Sequence, residues 1–249
     1  MVVLTGAEPF RADGDAGAAV LLCHGFTGSP QGLRPWAEAL AAAGLTVRLP
    51  RLPGHGTTWQ QMARTGWADW VATVAAELAE LRARGCRTVV GGLSMGGALA
   101  LRLAVDHAQD VAGLVLVNPA VRLTDRRLLA VPLLRHLVPS LPGVGGDIAK
   151  EGAVELAYDR VPTSSLHSSL RGYRQVAADL PRVRQPLVLL RSAVDHVVPA
   201  SSSALVLSRV SSADVREEVL PRSLHVATLD HDADRITAAT LDLVRRVAA

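Results

Sequence analysis

Val89-Val90-Gly91-Gly92-Leu93-Ser94-Met95-Gly96-Gly97-Ala98 is the stretch that decides the fold. Thr88, Val89 and Val90 make a short β-prone apolar run, and Ala98-Leu99-Ala100-Leu101-Arg102-Leu103-Ala104 reads as a buried helix. Between them lies Gly92-x-Ser94-x-Gly96, the strand–turn–helix pattern of a nucleophile elbow. Such a turn forces its serine into a strained backbone conformation with the hydroxyl projecting above the sheet. Residues two before and two after must lack bulk, because strand and helix nearly touch there. Gly92 and Gly96 meet that need. The competing reading, a structural serine in a glycine-rich turn, leaves the flanking strand and helix unexplained.

Outward from the elbow, apolar strands alternate with helices. Upstream, Ala18 to Cys23 is a continuous apolar run suited to a strand covered on both faces, followed by the loop His24-Gly25-Phe26-Thr27-Gly28-Ser29-Pro30. A helix is expected from Pro35 to Ala43 with Gly44 as its stop, then a strand over Leu45 to Leu49. Trp67, Trp70, Val71, Val74, Leu78 and Leu81 recur at helical spacing, and Gly85 ends that helix. Downstream, Val111 to Val117 is a buried strand closing at Asn118-Pro119. Leu187 to Leu190 and Val215 to Leu220 are later strands, Ser201 to Val210 a helix, and Asp232 a plausible cap for a final helix over Ala233 to Val247.

This rhythm predicts an α/β fold with a mostly parallel central sheet and helices on both faces. It breaks once. From Arg122 to about Arg184 there is no strand-like run; Ala153 to Tyr158 and Leu166 to Ala178 read as short helices. A core of residues 1–121 and 185–249 with a small cap insertion at 122–184 is therefore expected, the alternative being a helical pair remote from any site.

The 249 residues are 49% apolar, enough for a two-sided core. The net charge is only +3, Lys150 is the only lysine, and the arginines are scattered. That excludes a basic nucleic-acid stripe. Cys23 and Cys86 make no disulfide framework and no zinc spacing, and are expected as small buried hydrophobes. Met1 to Phe10 lacks the pattern of a signal peptide, and no apolar run reaches membrane-spanning length. A cytoplasmic chain without stable membrane insertion is expected, working as a monomer or homodimer, with neither metal nor cofactor.

A serine hydroxyl is a weak nucleophile; it needs a base in hydrogen-bond reach, and the base needs an orienting acid. After an elbow of this kind the acid and then the base follow on loops beyond late strands. That order sorts the eight histidines. His24 and His55 precede Ser94, His107 ends the next helix, and His136 and His167 lie in the insertion. His196 adjoins the acid position. Of the remaining two, only His225 sits directly after the last strand, which makes it the general base; His231 reads as a capping or surface residue. Asp195 follows the strand Leu187 to Leu190 and is the expected acid. Its bland reading is a turn aspartate bonding its own backbone, and Asp179 and Asp214 are misplaced rivals. The backbone N–H groups of Met95 and Phe26 are the expected oxyanion donors, with His24 bracing the Phe26 loop.

Together, Leu22-Cys23-His24-Gly25-Phe26-Thr27-Gly28, Pro53-Gly54-His55-Gly56-Thr57, the elbow, Asp195-His196-Val197-Val198-Pro199 and Ser223-Leu224-His225-Val226-Ala227-Thr228-Leu229-Asp230 resemble the α/β-hydrolase family. Within it they look like small bacterial carboxylesterases and monoacylglycerol lipases. The resemblance implies a serine ester hydrolase for a lipid-like small molecule, a monoacylglycerol or a short- or medium-chain acyl ester. Glu155-Leu156-Ala157-Tyr158 with Pro162-Thr163 resembles the cap of bacterial monoacylglycerol lipases, where the matching glutamate contacts the glycerol hydroxyls. Glu155 is thereby implied on the glycerol side, whereas by its residue type alone it is a solvated glutamate on a short helix. An acyl tunnel would be lined by Phe26, Met95, Leu128, Leu134 and Leu137. The same machinery also serves C–C hydrolases, perhydrolases and slow-turnover small-molecule receptors; haloalkane dehalogenase chemistry would need a carboxylate in place of Ser94.

Overall fold

A computed structural model describes residues 2–14, 17–143 and 145–248. The elements are β1 (Phe10–Ala12), β2 (Ala18–Cys23), α1 (Arg34–Ala42), β3 (Thr46–Leu49), α2 (Trp59–Met62), α3 (Trp67–Ala83), β4 (Arg87–Leu93), α4 (Met95–Asp106), β5 (Val111–Val117), α5 (Val131–Leu134), β6 (Ser140–Pro142), β7 (Arg160–Pro162), α6 (Thr163–Asp179), β8 (Leu187–Ser192), α7 (Ala200–Arg209), β9 (Val215–Leu220) and α8 (Ala233–Ala248). Seven strands form one sheet in the order β1-β3-β2-β4-β5-β8-β9. Every pairing is parallel except the short edge strand β1 against β3.

Period-two alternation splits each buried strand between two cores. In β2, Ala19, Leu21 and Cys23 join the α3, α4 and α6 side, while Ala18, Val20 and Leu22 join the α1 and α8 side. Cys23 is buried, as expected, and that burial pushes its thiol pKa up. Cys86 is only half-buried, because it stands one residue before β4 where the chain enters from the surface.

The chain runs from β2 outward to β3, returns to β4, and then proceeds the other way. The order therefore reverses between β2 and β4, which lie side by side with Cys23 opposite Gly92. In open α/β sheets a ligand crevice forms at that reversal, beyond the carboxyl ends of the strands. Here the loops after β2 and β4 face each other across it.

Glycine is compulsory at the elbow. A Cβ on Gly92 would stand 2.2 Å from the Gly96 backbone, and one on Gly96 would stand 1.8 Å from the Cys23 carbonyl oxygen. Ser94 itself has φ 57 and ψ −117.

Three expectations need correction. Residues 122–184 do contain strands: β6 and β7 pair antiparallel, Ser140 opposite Pro162. Each is three residues long and proline-flanked, too short for a period-two signal. Ala153–Tyr158 is not a helix but irregular chain, tied to distant loops through the N–H groups of Leu156 and Tyr158. Asp232 stands just before α8, but its carboxylate turns back to accept from the Arg222 N–H at 2.8 Å and the Ser223 hydroxyl at 3.0 Å. Among the described residues no helix is long and apolar enough to cross a membrane.

Candidate active site

The elbow delivers Ser94 to the carboxyl end of β4. Its N–H donates to the Val117 carbonyl at 2.9 Å and its carbonyl accepts from Ala120 at 3.0 Å, so the turn is fastened to the end of β5. The same end of β5 holds the histidine loop. Asn118, at φ 45, donates from its side chain to the His225 carbonyl at 2.8 Å and to Ser192 Oγ at 3.0 Å. Ser192 in turn donates to the Leu224 carbonyl at 2.7 Å. Ser94 and His225 thus hang from one turn, residues 117–120.

His225 Nδ1 lies 2.8 Å from Asp195 Oδ2, with both side chains largely buried. The other oxygen of Asp195 accepts from the N–H groups of Val197 and Val198, each at 2.8 Å. One oxygen of Asp195 thus serves its own turn and the other faces the imidazole. With Nδ1–H given to the carboxylate, the imidazole keeps Nε2 as its acceptor. The rivals lie elsewhere: Asp179 pairs with Arg102, and Asp214 with Arg246. No hydrogen bond joins the Ser94 hydroxyl to the imidazole among the described residues. In sites of this type that bond is often long and tightens as substrate binds.

Phe26 and Met95 bring two backbone N–H groups to the crevice, and neither donates a hydrogen bond among the described residues. The Met95 N–H is free because it opens α4, whose first-turn N–H groups have no intrahelical partner. The ideal Cβ position at Gly25 falls 3.7 Å from Ser94 Cβ, which sets the loop directly over the elbow. His24 does brace it: Nδ1–H donates to the Gly25 carbonyl at 3.0 Å, and Nε2 accepts from the Leu52 N–H at 3.1 Å. Burial lowers the His24 pKa to about 4, holding the ring neutral. Thr27 sits at φ 61, costly for a β-branched residue. Thr27, Ser94 and Asn118 are the positive-φ non-glycine residues described; Thr27 lies in the loop after β2, and Ser94 and Asn118 directly follow β4 and β5. Strained backbone concentrates where function demands it.

Glu155 is half-buried on irregular chain and not a solvated helix residue. One carboxylate oxygen accepts from the Gly146 N–H at 2.9 Å, and the other lies 3.0 Å from the ideal Cβ position at Gly28. Burial raises its pKa, against the Gly146 hydrogen bond and the nearby His225. Its strand of chain is clamped on both sides. The Leu156 N–H donates to Gln31 Oε1 at 2.8 Å, Tyr158 N–H to the Thr27 carbonyl at 3.1 Å, and the Tyr158 hydroxyl to the Gly54 carbonyl at 2.7 Å.

The expected acyl lining fares unevenly. Phe26 packs on the core and meets Trp70 edge-on, and Met95 is buried. Leu128 is half-buried and joins Val121, Leu170 and Tyr173 around a cavity of about 360 Å³. Leu134 is half-buried. Leu137, three residues beyond α5, is 71% exposed, and the residue that α5 buries is Val131.

Sequence reasoning passed over Asn118, Asp147 and Asp230. Asp230 is buried and accepts from the N–H groups of Leu224, Ala149, Lys150 and His231. Burial pulls its pKa up, but these four donors outweigh it and hold the carboxyl below the usual range. The signal available was Asn118-Pro119 closing a buried strand, since asparagine tolerates positive φ.

The family model described as serine aminopeptidase, S33 matches residues 14–232. A thermostable monoacylglycerol lipase from Bacillus sp. (strain H-257) is 42% identical over 249 residues, covering 99% of this chain and 97% of that protein. A metagenome-derived lipolytic enzyme of known structure superposes with a TM-score of 0.95 at 39% identity, covering 98% of this chain and all (100%) of the other. A monoacylglycerol lipase from Paleococcus ferrophilus shares the fold at a TM-score of 0.79 and 19% identity, over 96% of this chain and 99% of its own. The sheet, the elbow and these likenesses define an α/β-hydrolase of the esterase and lipase group, a carboxylic ester hydrolase. The chain belongs to the serine aminopeptidase S33 family.

Proposed function

We propose that this chain hydrolyses monoacylglycerols, and related short- or medium-chain acyl esters, through an acyl-enzyme on Ser94. Ser94 Oγ attacks the acyl carbon as His225 Nε2 takes its proton, and Asp195 holds the imidazolium in place. The N–H groups of Phe26 and Met95 receive the oxyanion. The C–O bond then breaks, and the leaving alcohol takes the proton from His225. A water molecule, deprotonated by the same imidazole, attacks the acyl-enzyme and releases the carboxylic acid and free Ser94.

The observation that carries this reading is the 2.8 Å contact between His225 and Asp195 at the same strand ends as a strained Ser94. Residues 122–184 serve as the cap, and Glu155 accepts hydrogen bonds from the glycerol hydroxyls. The likeness to a Bacillus monoacylglycerol lipase and the clamped position of Glu155 support that substrate class. The test is a substrate panel: monoacylglycerols of graded acyl length, the matching methyl esters and an aminoacyl anilide. Highest kcat/KM on a monoacylglycerol supports the proposal; a preference for the anilide would replace it with peptidase chemistry.

A further inference from the structure

Asp147 lies in the inserted segment, far in sequence from the triad, yet it touches both loops that carry the triad's acid and base. Its Oδ2 accepts from the His225 backbone N–H at 3.1 Å and from the His196 backbone N–H at 3.2 Å. Its Oδ1 lies 2.8 Å from His196 Nδ1. Its own carbonyl accepts from the Val226 N–H at 3.0 Å. Two and three residues on, the N–H groups of Ala149 and Lys150 reach the buried carboxylate of Asp230, which also holds Leu224.

One oxygen atom thus receives the backbone of the base itself and of the residue next to the acid. The Asp195–His225 contact is made by side chains from two separate loops, after β8 and after β9. Asn118 and Ser192 hold the His225 and Leu224 carbonyls at the strand ends, but neither bonds the chain beyond Asp195, so the tip of the acid loop keeps freedom relative to the base. A third fixed point shared by both backbones removes that freedom. The ring contact is a different matter: His196 is 65% exposed, and an ion pair in that setting contributes little. The weight falls on the two backbone donors.

We propose that Asp147 is a positioning residue that sets the separation and orientation of the acid and base loops, so that the inserted segment completes the triad as well as covering it. The inference rests on the triad reading above. Misplacing a catalytic group by about 1 Å can cost on the order of 10²-fold in rate. Asp147→Ala should lower kcat on a monoacylglycerol about 10- to 100-fold and leave KM within about threefold. The rate of covalent inactivation by a fluorophosphonate, which reports the Ser94–His225 pair without any glycerol contact, should fall in parallel. Asp147→Asn keeps an oxygen for both N–H groups and should restore kcat to within about threefold of wild type. His196→Ala removes only the ring and should cost less than Asp147→Ala.

A folded Asp147→Ala protein with wild-type kcat, an Asn variant as impaired as the Ala variant, or a rise in KM at unchanged kcat would each overturn the proposal. Should the Ala variant fold poorly, Asp147→Ser, whose hydroxyl is too short to serve both donors, must still rank below Asp147→Asn in kcat; equality overturns it. His225→Ala is measured alongside. If it retains wild-type turnover, the triad reading fails; if it is inactive while Asp147→Ala is fully active, only the positioning role fails.

Discussion

Asp195 Oδ2 stands 2.8 Å from His225 Nδ1, while Oδ1 is engaged by its own turn through Val197 and Val198. The carboxylate is therefore locked in orientation before it meets the imidazole. Asp195→Asn keeps the turn but presents an amide donor to Nδ1, which imposes the wrong tautomer. We expect kcat to fall by about 10³- to 10⁴-fold with the melting temperature near wild type, as measured by ester turnover and thermal unfolding. A loss below tenfold would remove Asp195 from the proton path.

Elbow packing makes a stability prediction. A methyl on Gly96 meets the Cys23 carbonyl oxygen at 1.8 Å, and neither backbone can retreat without parting β2 from β4. Gly96→Ala should destabilise at or beyond the upper end of the ~1–3 kcal/mol typical of overpacking. Gly32→Ala, where a Cβ meets nothing within 4 Å, should change stability by less than about 0.5 kcal/mol. Denaturant midpoints check both.

Two buried histidines make the fold acid-sensitive. His24 and His55 are both held neutral by burial, which brings the His24 pKa to about 4 and the His55 pKa well below 6.5. In the unfolded chain each binds a proton near pH 6.5. Below that pH the unfolded state holds more protons than the folded state, so stability falls as pH falls. The loss from His24 runs from about pH 6.5 to about pH 4 and amounts to on the order of 3 kcal/mol. Denaturation at pH 7.5, 6 and 5 should show it, with a flatter slope for His55→Gln. A pH-independent midpoint across that range would contradict it.

Glu155 should discriminate the alcohol and not the acyl group. Glu155→Gln is expected to raise KM for monoacylglycerol several-fold, the value of one or two charge-assisted hydrogen bonds. It should leave kcat/KM for the matching methyl ester within about twofold. Equal losses on both substrates would place Glu155 in support of the Phe26 loop instead.

The sheet, and the residues proposed as the triad, were legible because their signals are local or ordered. Ala18 to Cys23 and Val111 to Val117 are unbroken apolar runs, Gly92 and Gly96 frame Ser94, and the chain order singles out Asp195 and His225. Within residues 122–184 the helix α6 was legible, but the rest was not. Ala153–Tyr158 carries helix-forming residues, but its Leu156 and Tyr158 N–H groups go to Gln31 and Thr27, contacts more than a hundred residues away that no local propensity reveals. β6 and β7 are three residues each, and Leu137 is apolar yet solvent-facing in the turn after α5. Asp147 and Asp230 look like ordinary loop carboxylates until the backbones of other segments are laid against them.

The central claim is that Ser94 carries the acyl group. Ser94→Ala, shown by circular dichroism and melting temperature to be folded as wild type, is assayed on a medium-chain monoacylglycerol. The account predicts a fall in kcat of at least about 10⁴-fold, and loss of the fluorophosphonate adduct on the peptide spanning residue 94. A folded Ser94→Ala protein within tenfold of wild-type turnover would contradict it.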